Sequence, residues 1–392
     1  VEIVNVLANG LAHIEQGHGD ISILGTETIA MLARNGAWLD KALKPTQRET
    51  TSDYALAHAF IEFSSRIIHH QIARSIGIPM KDISVSGKIL NDSGRRKPLM
   101  KRELQKVIAA LEILTGVFAA MDVECLDQYR PSIIKLLVSS QIAFVFSVGN
   151  KCHELVPHFQ KLADTMVSRD SGANDHHSYK VYQLYESAVK SVVHVLEQIS
   201  EGTIFDMESP SMVGMLFGTA LSLCNLCRTE VRPTFTQDIM TAVNGCLHPT
   251  RSVDINHGAV VFVQNLIVSS SAVGITPSAM IGGVGPLLIL LLREDSRQPD
   301  DTDLKCAIIK ILVQSALQIC DTPEYADLLF QVLAGFQQSG DSHDEASLVR
   351  KLCAQCALQL LKTPHARFKN AVQKLPADVQ GLLQQGLKRV MA

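Results

Sequence analysis

The chain has 392 residues, of which 46% are hydrophobic, 19% charged and 5% aromatic, and its formal net charge is −3. The apolar content excludes an intrinsically disordered chain, and the near-neutral charge gives no indication of nucleic-acid binding. At roughly 150 residues per domain, the length fits two to three domains or one elongated array.

Apolar residues recur at helical spacing from one end of the chain to the other. Leu56, Phe60, Phe63 and Ile67 form an early stripe behind Ser52 and Asp53, which suit an N-cap. Stripes with the same period follow at Leu104, Val107, Ile108, Leu111, Leu114 and Phe118; at Val349, Leu352, Cys353, Cys356 and Leu360; at Phe368, Val372 and Leu375; and at Val379, Leu382, Leu383, Gly386 and Val390. Strand-like alternation is confined to a short segment, 83–86, so the pattern predicts about fifteen helices joined by short polar breaks.

The most apolar run is Val284–Leu292, which is about half as long as a membrane-spanning helix must be. We expect a buried helix there. The glycine-rich residues Gly282–Gly285 precede it, but Pro286 and Leu287 stand where a phosphate-binding loop needs Lys and Ser or Thr. The glycines therefore predict a tight turn between helices.

The nine cysteines are scattered through apolar segments, a pattern typical of a reducing compartment. Two pairs, Cys224/Cys227 and Cys353/Cys356, have the spacing of zinc ligands, but each lies on an apolar stripe and is expected in the core. Adjacent histidines such as those at 69–70 and 176–177 point in different directions on a helix and do not form a ligand set. We expect no metal site, no cofactor and no catalytic residue, since no nucleophile-elbow or kinase motif is present.

Five cations crowd a short segment that ends in a predicted helix N-terminus: Arg95, Arg96, Lys97, Lys101 and Arg102. Cations oppose the helix dipole at this end, so they do not help the helix. A solvated loop would explain them, and so would contact with an acidic partner or an anionic membrane, which is our hypothesis. The C-terminal segment is also basic, with Asp378 as its one acid, and carries Arg367, Lys369, Lys374, Lys388 and Arg389.

The segments Asp301–Cys320, Pro323–Gln338, Glu345–Lys362 and Pro364–Leu375 resemble successive HEAT-type helices. The amino-acid sequence of segments Leu361–Lys369 and Leu375–Gln380 is similar to that of the C-terminal cap of large HEAT-repeat scaffolds, the clathrin-adaptor accessory proteins of membrane trafficking. The resemblance implies an all-α fold, a right-handed α-solenoid of HEAT/armadillo-like helix pairs. Each such helix pair is about 40 residues long, and stacking the pairs would bury each one against its neighbours.

We expect one continuous solenoid over 1–392, a fragment of a longer protein, with softer junctions near 77–97, 169–176 and 293–303. Its expected role is a non-catalytic scaffold that binds proteins or peptides in membrane trafficking, in the cytoplasm and at the surface of endomembranes. The alternative is a karyopherin-β-like nuclear transport receptor that binds cargo and Ran. The net charge of −3 counts against the alternative, because that family is strongly acidic.

Overall fold

The computed structural model describes residues 53–76, 97–121, 123–145, 150–171, 179–202, 210–268, 277–293, 302–318, 323–337 and 344–391. Within these ranges the regular structure consists of fourteen α-helices and one short 3-10 helix, and there is no strand. The prediction of an all-helical chain is confirmed for this part of the sequence. None of the helices in these ranges has the length and apolar character needed to cross a membrane.

The α-helices are α1 (Asp53–Ile76), α2 (Lys101–Ala120), α3 (Val123–Val145), α4 (Val156–Ser171), α5 (Tyr179–Ser200), α6 (Pro210–Cys224), α7 (Arg232–Cys246), α8 (Val253–Val268), α9 (Pro277–Arg293), α10 (Thr302–Gln318), α11 (Pro323–Gly335), α12 (Asp344–Lys362), α13 (Ala366–Lys374) and α14 (Ala377–Met391). The 3-10 helix Asn150–Leu155 precedes α4. The four segments that resemble HEAT helices correspond to α10 to α13, and each end agrees within three residues.

The chain divides into two compact units, residues 1–243 and 244–392. In the described part of the first unit, α1 packs on α2, α2 on α4, and α4 on α6. A second series of contacts joins α3 to α5, and α3 also packs on α1 and α6. Most of these contacts therefore join a helix to its next-but-one neighbour, and contacts such as α3 with α6 and α5 with α6 connect the two series.

The second unit repeats this arrangement. Helices α8, α10, α12 and α14 pack one against the next, and α11 packs on α13. Consecutive helices also pack together: α9 contacts α10, and α11 contacts α12. The softer junctions predicted near 77–97, 169–176 and 293–303 lie mostly outside the described residues.

The predicted stripes of α2 and α12 lie largely in the core. On α2, Leu104, Val107 and Phe118 are at most 1% exposed, and the remaining members except Ile108 are also buried. The helix begins at Lys101, after Met100 as its N-cap. On α12, Cys353 and Leu360 are fully buried on the predicted face.

A buried polar cluster joins three helices of the first unit. Arg130 on α3 is 2% exposed, and its Nη2 donates to Oδ1 of Asp170 on α4 at 2.8 Å. Its Nη1 donates to Asp127 at 2.5 Å, and the Tyr185 hydroxyl on α5 donates to Asp170. A buried guanidinium is tolerated only when it is paired in this way, so the cluster fixes α3, α4 and α5 relative to one another.

The prediction of a tight turn at Gly282–Gly285 is wrong, because these residues lie inside α9. A Cβ at Gly282 or Gly283 would have no neighbour within 4 Å, and both residues are exposed. Their poor helix propensity is offset by the buried side chains of the same helix, among them Val284 and Leu288, which are 0% exposed. The predicted buried helix forms, but only one face is covered, since Leu290 is 44% exposed.

Gly202 marks the one described position where the backbone enters the left-handed region, with φ of 72°. It follows the end of α5, and its N–H donates to the Ile199 carbonyl at 3.1 Å. This is the usual role of glycine after a helix, because a Cβ would clash in that conformation.

Candidate interaction surface

Three of the five predicted basic-cluster residues lie in the described part of the chain. Lys97, Lys101 and Arg102 are exposed around the first turn of α2, whereas Arg95 and Arg96 lie outside the described residues. Met100 stands among them with 60% of its surface exposed, although methionine is more often buried. The start of α2 thus presents cations around an exposed apolar side chain.

The acid in this segment, Glu103, takes part in the helix cap. Oε2 of Glu103 accepts the backbone N–H of Met100 at 2.9 Å, and the residue is only 7% exposed. This is half of a capping box, in which a glutamate at the third helical position satisfies the N-cap N–H. Glu103 is therefore buried in the cap, whereas Lys97, Lys101 and Arg102 are exposed.

The cysteine pairs are buried as predicted. Cys224, Cys227 and Cys353 are at most 1% exposed, and Cys356 is 6% exposed. One detail of the prediction is wrong: α6 ends at Cys224, so Cys227 lies in the turn beyond the helix and not on its face. The backbone N–H of Cys227 closes this turn by donating to the Cys224 carbonyl at 3.0 Å, and the Cys227 thiol donates to the Leu223 carbonyl.

Burial also changes the chemistry of these thiols. It raises the pKa of Cys227 to about 12 and that of Cys356 to about 11, and it raises the pKa of Cys353 further. Since the thiolate is the form that attacks electrophiles and ligates metals, these thiols are protonated and inert at neutral pH. Within the described ranges, no three His, Cys, Asp or Glu side chains converge as metal ligands would.

Of the two adjacent histidine pairs in the sequence, one lies in the described part of the chain. His69 and His70 are both exposed on α1, and residues 176–177 lie outside the described part. His158 Nδ1 lies 3.7 Å from a Glu112 carboxylate oxygen, a contact between α4 and α2. In the C-terminal segment, Arg367 contributes to packing, since its Nη2 donates to the Ala316 carbonyl at 2.7 Å.

A second surface feature has no sequence signal. Arg228, after α6, donates from Nε and Nη2 to the two carboxylate oxygens of Glu186 on α5, at 2.7 and 3.1 Å. Its guanidinium also lies 5.5 Å from the ring centroid of Tyr179, which is 61% exposed. The hydrogen bond from Arg228 lowers the pKa of Glu186. The pair is separated by 42 residues, so no local motif could have revealed it.

No protein-family model matches the chain, and no curated protein matches it either.

Proposed function

We propose that this chain is a non-catalytic scaffold that binds other proteins, and that each of its two units is a section of a right-handed α-solenoid built from HEAT-like helix pairs. The observation that carries the proposal is the packing of alternate helices: α2 on α4 on α6 in one unit, and α8 on α10 on α12 on α14 in the other. A stack of this kind buries each helix pair against the next and leaves extended outer surfaces for partners.

The start of α2 is the proposed contact with an anionic partner. Lys97, Lys101 and Arg102 are exposed, Met100 adds an apolar side chain, and Glu103 is held in the helix cap. Cations at this helix end oppose the macrodipole, so the dipole of α2 does not favour them there. A binding role explains why they are grouped there.

The charge-reversed variant K97E/K101E/R102E tests this contact. We expect the variant to melt no lower than the natural chain, because the three side chains are exposed and the helix dipole favours anions at this end. Partner binding should be lost, and the difference in affinity from the natural chain should be largest at low salt. A variant with the same change of charge, K135E/K161E/K190E, reverses exposed lysines elsewhere in the first unit and should bind normally. If both variants bind alike, the start of α2 is only a solvated surface.

The class of partner follows from the resemblance to trafficking scaffolds, so affinity capture with identification by mass spectrometry is the test. Adaptor-complex subunits that are retained by the natural chain and lost from K97E/K101E/R102E would support the proposal. Capture of Ran in its GTP form would contradict it in favour of a transport receptor. Absence of both from a folded, correctly melting chain would contradict the trafficking assignment.

A further inference from the structure

Positive charge is concentrated at the end of the second unit. Residues 344–392 carry eight Lys or Arg and three Asp or Glu, a net charge of +5, whereas the preceding 343 residues carry 28 and 36, a net charge of −8. A chain that is slightly acidic as a whole therefore has a basic C-terminal segment. Such a separation of charge favours a partner of opposite charge over random contacts.

The cations of α13 and α14 are available to solvent. Lys369 and Lys374 on α13 and Lys388 and Arg389 on α14 are all exposed, and none of the four has a hydrogen-bond or ion-pair partner among the described residues. Three of them lie in the last turn of a helix, where they complement the dipole. Lys369 lies near the middle of α13, so the dipole does not account for the whole set.

Exposed amides lie one helical turn from these cations on both helices. On α13, Asn370 and Gln373 are exposed between Lys369 and Lys374. On α14 the corresponding stripe consists of Gln384 and Gln385, followed one turn later by Lys388 and Arg389. Positions spaced in this way share one face of a helix, so each helix presents amides and cations side by side. Amides can both donate to and accept from a peptide backbone, which cations cannot do.

We infer that the exposed faces of α13 and α14 bind an extended acidic segment of another protein. Carboxylates of the segment would pair with the four cations, and its backbone would hydrogen-bond to the amides. A membrane fits less well, because neither α13 nor α14 exposes a large apolar side chain among its described residues. Amphipathic membrane-binding helices need such side chains to enter the lipid. The inference rests on the binding role proposed above but concerns different helices.

The probe is a fluorescein-labelled peptide of alternating glutamate and serine, and its binding to the full chain is measured by fluorescence anisotropy. The variant K369E/K374E/K388E/R389E should weaken binding by about tenfold or more at low salt, since four exposed ion pairs are lost. A matched variant, K135E/K161E/K180E/K190E, makes the same change of charge on exposed lysines of the first unit and should bind as the natural chain does. Equal loss in both would overturn the inference, because net charge alone would then explain binding.

A second variant separates peptide recognition from charge. N370A/Q373A/Q384A/Q385A keeps the net charge and should still weaken binding of the glutamate peptide several-fold, while melting is unchanged. Unchanged binding would overturn the proposed backbone contacts.

A third measurement uses vesicles of phosphatidylcholine with about one-third phosphatidylserine. If the chain binds these vesicles more tightly than the peptide, and the charge-reversed variant does not, the surface binds a membrane and the inference is overturned. Failure of the peptide to bind, with partners still captured through α2, would overturn this inference and leave the proposed function standing.

Discussion

Two glycines of α14 provide a sharp test of how the last helix packs. Gly381 and Gly386 both lie inside the helix Ala377–Met391. A Cβ built on Gly381 has no neighbour within 4 Å, whereas one on Gly386 would lie 2.8 Å from both Cδ and Oε1 of Gln337. Substitution by alanine therefore places the added methyl group in open space at position 381 but against the Gln337 side chain at position 386.

The magnitudes can be worked out from these contacts. In a helix interior, alanine is favoured over glycine by about 1 kcal/mol, so Gly381→Ala should stabilise the protein by up to that amount. At Gly386 the Gln337 side chain must move by about 0.6 Å to reach ordinary contact at 3.4 Å. Gln337 is 8% exposed, and its Nε2 donates to the Arg350 carbonyl at 3.0 Å. Loss of a buried hydrogen bond costs about 1–3 kcal/mol, so Gly386→Ala should be neutral or destabilise by up to about 2 kcal/mol.

Urea denaturation followed by circular dichroism measures the difference. We expect Gly386→Ala to be less stable than Gly381→Ala by about 1–3 kcal/mol. Adding Gln337→Ala should remove part of this difference, because the side chain that causes the clash is gone, and a double-mutant cycle should show a clear coupling between positions 337 and 386. If Gly386→Ala stabilises as much as Gly381→Ala, Gln337 is not held against α14 and the reasoning is refuted.

Three further predictions follow from buried or paired groups. Asp170→Asn should lower the free energy of unfolding by about 3–5 kcal/mol, because it leaves the buried Arg130 of α3 short of a partner. Asp127→Asn should lower it by at most about 1 kcal/mol, because the Asp127 carboxylate is 54% exposed. Comparable urea midpoints for the two variants would contradict this prediction. Because the pKa of Glu186 is lowered from 4.5, its ion pair stabilises the fold above pH 4.5 and is lost as pH falls through the lowered pKa, so the melting temperatures of the natural chain and Glu186→Gln should differ above pH 4.5 and converge below it. Replacing Cys353 and Cys356 together by alanine should cost about 1 kcal/mol per site through lost packing, and elemental analysis should find no zinc in the natural chain; bound zinc that the replacement removes would contradict a core role.

The stripes of α2 and α12 show why the helices could be predicted from sequence. Their apolar residues repeat with the period of an α-helix, so the pattern predicts both that a helix forms and which of its faces is buried. Helix ends near Pro323 and Thr363 were equally readable, because proline and short polar segments interrupt the pattern.

The failures have a different cause. Gly282 and Gly283 have low helix propensity, but the packing of Val284 and Leu288 on the same helix outweighs it, and that packing is a tertiary effect. The pairing of Arg130 with Asp170 was also invisible, since 40 residues separate them and neither has a local signature. Of the predicted basic cluster, sequence could give the charge at the start of α2 but not the inward turn of Glu103, which depends on the cap geometry.

The packing of alternate helices on one another has a consequence for how the chain is made. Contacts between distant elements span modest lengths of sequence: 40 residues from Arg130 to Asp170, 42 from Glu186 to Arg228, and 51 from Ala316 to Arg367. Local contacts of this kind are associated with rapid folding, because little loop-closure entropy is lost before each contact forms. A ribosome therefore needs to release only a few tens of residues before the next helix meets its partner. Within each unit, folding can keep pace with translation, and apolar faces are covered soon after they emerge.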